Sequence, residues 1–149
     1  MSKRNLRIFL LILILIALTP CYIGAEPNVR IEVKIILASQ KKGSIDPRLK
    51  DLTKELGSVL RYSSYELIDR KNINLTRGGT GRVALPDNRV LKIASRGIEG
   101  NRVILDLEIL RNNSSIFSTV IKLRNNDRTT IGGPEYKGGK LLFNIYTSF

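Results

Sequence analysis

The chain has 149 residues, with 25 lysines and arginines against 13 aspartates and glutamates, no histidine and one cysteine, for a formal net charge of +12. Without imidazole, and with a single thiol at Cys21, it lacks the usual zinc, copper and haem ligand sets, the Ser-His-Asp and Cys-His nucleophiles, and any intrachain disulfide. No catalytic residue, cofactor or metal site is expected, and the length suits one folded domain.

The N-terminus carries the three parts of an export signal in order. Lys3, Arg4 and Arg7 form a positive flank, Ile8 to Leu18 is an unbroken apolar run, and Gly24-Ala25 supplies small residues ahead of Glu26-Pro27. Residues 1–25 therefore read as a secretory signal cleaved after Ala25, leaving one β-rich exported domain over 26–149. The apolar run stops at Thr19-Pro20, short of the roughly 20 residues that span a bilayer. A retained N-terminal anchor and acylation of Cys21 are the alternatives; the second has Pro20 where Gly, Ala or Ser normally precedes the cysteine. The expected location is the periplasm or outer envelope. Losing Lys3, Arg4 and Arg7 still leaves the domain at about +9, a surface that favours anionic partners.

Val29, Ile31, Val33, Ile35 and Leu37 alternate with Arg30, Glu32 and Lys34, the period of a half-buried strand. Ile35-Ile36-Leu37 should be covered on both faces. Asp46-Pro47 predicts an N-cap and first helical position, with an amphipathic helix running to about Leu60 on a stripe of Leu49, Leu52, Leu56, Val59 and Leu60. Six to eight strands come next, separated by Gly78-Gly79-Thr80-Gly81, Pro86-Asp87-Asn88, Asn112-Asn113, Asn125-Asn126-Asp127 and Gly138-Gly139. Hairpin-length connections favour antiparallel pairing. The expected fold is α+β, a mostly antiparallel sheet or small sandwich with one amphipathic helix near the N-terminus of the mature chain.

Several segments invite a chemical reading. Gly78 to Gly81 is glycine-rich, but a phosphate loop needs a helix N-terminus, so a hairpin turn is expected. Ser39-Gln40-Lys41-Lys42 has the Ser-x-x-Lys spacing of acyl-serine hydrolases, yet it closes a strand where one helical turn is needed. Asp106 and Glu108 share a strand face; they could act as paired carboxylates, and are expected instead to pair across a hairpin with Lys122 and Arg124. Tyr62 and Tyr65 flank the helix exit, where packing is the expected role.

Ser118-Thr119-Val120-Ile121-Lys122-Leu123, together with Asp127-Arg128-Thr129-Thr130-Ile131-Gly132-Gly133, resembles the strand, turn, strand and Gly-Gly segment of the secretin family, outer-membrane channels of bacterial secretion and pilus systems. The likeness covers residues 118–133. It departs from the family pattern at Asn126-Asp127, where a glycine-containing turn is typical, and at Pro134, where an apolar residue is usual. What the resemblance implies is an accessory role in envelope assembly or secretion through ring-type association.

The expected function is that of a non-enzymatic envelope binding or assembly module, using a sheet edge, such as an exposed final strand, or a basic face that includes Lys122, Arg124 and Arg128. Its partner is expected to be an envelope protein. An anionic polymer or lipid surface is the charge-driven alternative, nucleic acid is not favoured for an exported chain, and oligomerisation stays open. The alternative of another class is a carboxylate-dependent enzyme acting on an envelope polymer.

Overall fold

The computed structural model describes residues 28–59 and 61–149. The secretory signal and its cleavage site lie outside the described residues. Among the described residues, eight strands form two four-stranded antiparallel sheets packed face to face. One sheet has the order β2 (Ser64–Leu75), β1 (Val29–Ser39), β8 (Gly139–Ser148), β7 (Asp127–Tyr136). The other has the order β3 (Thr80–Leu85), β4 (Arg89–Glu99), β5 (Arg102–Arg111), β6 (Ser114–Arg124). The chain meanders around this flattened barrel and β8 closes on β1; no ladder joins β2 to β3 or β6 to β7.

Alternation along each strand places the core. Ile31, Val33 and Ile35 of β1 and Leu141, Phe143 and Ile145 of β8 face Leu91 and Ile93 of β4 and Val103, Leu105, Leu107 and Ile109 of β5, all buried in one cluster between the sheets. The opposite parity of the first sheet makes a second cluster. There Ile36, Ala38, Leu67 and Leu142 lie under Leu49, Leu52 and Leu56, so Ile35 and Ile36 are indeed covered from both sides.

The covering element begins as a 3₁₀ helix, Pro47–Leu52, and continues as α1, Thr53–Val59. Asp46 caps it: its carboxylate accepts from the Arg48 backbone N–H at 2.9 Å, the Arg48 guanidinium at 2.6 Å and the Leu67 backbone N–H at 3.2 Å. Those donors hold the Asp46 carboxyl far below the usual carboxylate range, the Arg48 side-chain bond contributing most. A depressed folded pKa adds stability above the unfolded value of about 4, and that stability is lost as pH falls through the folded value. Acid titration followed by circular dichroism should therefore show stability declining below about pH 4, with a smaller decline in Asp46→Asn. Beyond the helix exit, the Tyr65 hydroxyl donates to the Leu56 carbonyl at 2.9 Å and the Tyr65 ring meets Tyr62 edge-on. Both are the packing roles the sequence predicts.

The other half of this outer face is polar, with Lys34 enclosed beneath it. Lys34, its side chain 4% exposed, donates to Asp51 at 2.7 Å and lies 3.7 Å from Glu32. Arg128 reaches the same Asp51 oxygen at 2.8 Å and stacks over Tyr146. Alongside, Asn144 donates to the Thr130 hydroxyl, which donates to Glu55.

Backbone irregularities redirect single residues. Asn112-Asn113 and Asp87-Asn88 all take positive φ, as two-residue hairpins with the right strand twist require. A bulge between Ser95 and Gly97 leaves Arg96 outside the ladder, and Gly97 accommodates it with φ of +115°. A second bulge, where Ile109 pairs with Phe117 but Leu110 with Ser115, turns Ile116 out of register.

Three expectations are corrected. Gly78 to Gly81 is no hairpin turn: β3 pairs with β4, and Gly78 and Gly79 carry the chain across to the second sheet by backbone hydrogen bonds with Ser95. The final strand is not exposed, because β8 lies between β1 and β7 and is hydrogen-bonded on both sides. Nor is Asn125-Asn126-Asp127 a hairpin turn, since β6 and β7 are edges of different sheets and do not pair.

Candidate interaction surface

Edge strands leave half their backbone groups unpaired, and natural sheets usually blunt them with charge, proline, bulges or brevity. All four edges here carry at least one of these devices. β2 carries Glu66, Asp69, Arg70 and Lys71, β3 spans six residues, and β7 loses register between Gly132 and Glu135, around Pro134. β6 has its bulge and two cations but is otherwise different. It runs 11 residues, contains neither proline nor acid, and holds all the exposed large hydrophobic residues among those described: Ile116 at 48%, Phe117 at 37% and Val120 at 47%.

The reasons for that exposure are local. Phe117 has the inward parity of its cross-strand neighbour Ile109, which is fully buried, but one strand further out it is incompletely covered. Val120 has the outward parity, opposite Asp106. Ile116 is the extra residue of the bulge, on the same outward parity. At the far end of the strand the Thr147 hydroxyl donates to the Arg124 carbonyl, tying β6 to the first sheet.

Lys122 and Arg124 share the outward parity of Val120, and Arg124 lies directly across from Arg102. Among the described residues, none of these three cations has a carboxylate partner. Arg128 does not join them. It belongs to the outer face of the first sheet, held by Asp51 and Tyr146, because the chain changes sheets between Arg124 and Asp127.

Asp106 and Glu108 are on one face, but their ion-pair partners come from β4 and not from β6. Arg96, freed by its bulge, binds Asp106 through two nitrogens at 2.7 and 2.6 Å. Lys92 reaches Glu108 at 3.3 Å. The Arg96 bonds hold the Asp106 carboxyl below its ordinary value, and the Ser115 side chain, then Lys92, lowers that of Glu108. Both are thus ionised at neutral pH.

Ser39 closes β1 and Lys42 lies in the bend after it, so the Ser-x-x-Lys spacing is not on a helix. Among the described residues no cluster of acidic or cysteine side chains could hold a metal ion, and no helix is long and apolar enough to cross a membrane. No family model, curated protein or solved structure matches the chain.

The apolar members of this edge had escaped the sequence reading. Ile116 and Val120 fall on the same parity as Lys122 and Arg124, and apolar residues on the polar side of an outer strand were the available signal.

Proposed function

We propose that this is an exported envelope protein that works by binding, an accessory module of a larger assembly of the secretion or pilus type, with the β6 edge as its partner surface. The observation that carries the reading is the gathering of Ile116, Phe117 and Val120 on one long edge strand. A strand from a partner laid on such an edge gains backbone hydrogen bonds, while alternate side chains set selectivity. The carboxylates favour binding over catalysis: a glycosidase acid needs a raised pKa, and Asp106 and Glu108 are shifted the other way. Export rests on the charged flank, apolar run and small residues of positions 1–25, and the accessory role on the secretin resemblance.

Photo-crosslinking in the cells that make the protein tests this. A benzophenone side chain at Val120 should yield a discrete adduct with an envelope protein, and the same group at Glu66, on the charged β2 edge, should not. The crosslinked chain should begin at Glu26. No adduct at position 120, or the same adduct from both positions, overturns the reading.

A further inference from the structure

From the charge pattern along β6 we infer the chemistry of the strand it receives: an extended segment of another protein, antiparallel to β6, with acidic residues opposite Lys122 and Arg124 and apolar residues opposite Phe117 and Ile121. The inference rests on the edge reading above and adds the partner's character. Side-chain parity passes unchanged from strand to strand across a sheet, so a strand beside β6 presents one row to the sandwich interior and the other to solvent. Its inner row extends the line of Leu123, Ile121 and Phe117, of which Phe117 is the least covered. Its outer row meets Arg124, Lys122 and Val120 in turn. Arg102 stands behind Arg124 on β5, and Glu99, across from Arg102 on β4, forms no ion pair with it, so positive charge accumulates at this end.

Other occupants leave those cations unmet. A second copy pairing antiparallel about Thr119 sets Lys122 against Ile116 of its partner, because β6 has no acid to offer. A parallel copy stacks lysine on lysine. The chain's own residues 1–25 contain Lys3, Arg4 and Arg7 and no acid, so they bring more positive charge. Next along the outer row, Val120 and Ser118 lie beside Asp106 and Glu108, already paired with Arg96 and Lys92. Acid is therefore selected over one half of the incoming strand only. Antiparallel pairing, slightly the more stable arrangement, makes that the N-terminal half.

The test is fluorescence anisotropy of the full chain with a synthetic peptide as long as β6. Valines occupy alternate positions, with glutamates between them in the N-terminal half and threonines in the rest; the control peptide has lysines for glutamates. The glutamate peptide should bind about tenfold more tightly at low salt, the preference should invert in the double variant K122E/R124E, and a central proline in the peptide should abolish binding by removing a backbone donor. Val120→Ser should weaken both peptides. Equal binding of the two peptides, lost in Val120→Ser, overturns the acidic partner and leaves the edge reading standing. Glutamate-peptide binding that K122E/R124E leaves unchanged overturns the assignment of Lys122 and Arg124. A dimer of the full chain sealed through β6 against both peptides also overturns it.

Discussion

Replacing Asp51 with alanine should lower the unfolding free energy by about 3 kcal/mol, whereas replacing Lys34 with methionine should cost about 1 kcal/mol or less. The difference arises from burial. The Lys34 ammonium is almost wholly enclosed between the first sheet and the 3₁₀ helix, and Asp51 is its close partner at 2.7 Å. Removing the carboxylate leaves a buried cation with only Glu32, at 3.7 Å, to compensate, and also frees Arg128. Removing the cation leaves a carboxylate that water reaches and that Arg128 still holds, while methionine fills the same space. Burial alone would raise the Asp51 pKa, but Lys34 and Arg128 together outweigh it and hold the group below its ordinary value. Stability from this pair is thus present above about pH 4 and lost as pH falls through the folded value. Urea unfolding of both variants measures the comparison; a Lys34→Met cost exceeding that of Asp51→Ala would show that the pair, not burial of the cation, sets the energetics.

Truncating Phe143 to alanine should cost about 3 to 5 kcal/mol, the loss of a large buried ring together with the cavity it leaves. Phe143 is fully buried on a central strand, registered against Ile35 on one side and Ile131 on the other. It also accounts for a glycine. A Cβ on Gly133 would clash with the Phe143 ring and stand 3.1 Å from the Leu141 carbonyl oxygen. Gly133→Ala should therefore cost about 1 to 3 kcal/mol in the native protein and less in the Phe143→Ala background. A double-mutant cycle should read that coupling as about 1 kcal/mol; additive costs would place the strain elsewhere. Gly133 thus has a packing role in this chain.

Strand positions and the helix start were legible because they depend on neighbours in the chain. Val29 to Leu37 alternates at period 2, Asp46-Pro47 can cap only a helix that starts at the next residues, and Asn112-Asn113 tolerates the positive φ of a tight turn. The antiparallel, one-helix α+β architecture came from the same local information, through the short connections. Sheet membership did not. The turn at Gly78 and the turn at Asn125-Asn126 look like hairpin turns, yet each passes the chain from one sheet to the other. Local geometry cannot state which edge the next strand will join; that is decided by which pairing buries both inner faces.

The same limit explains the fate of the basic residues. Lys122, Arg124 and Arg128 are close in the chain, and the first two do share a face at the end of β6. Arg128 lies across the sandwich because a change of sheet intervenes, and it is occupied by Asp51, 77 positions away in sequence. Asp106 and Glu108 were correctly set on one face by parity, but a central strand has two neighbours, and β4 offered Arg96 and Lys92 where β6 offered Val120 and Ser118.

By itself the sequence determined composition-borne facts and short-range structure: no imidazole, a positive balance, strands where apolar residues alternate, and a helix where aspartate and proline start one. Only the tertiary structure decided that β8 is central and β6 is an edge, and hence where apolar surface stays open. The physical reason is that a strand's two side-chain faces are written in its own alternation, whereas its two hydrogen-bonding edges are alike in every strand and are assigned only when distant strands compete to cover one core.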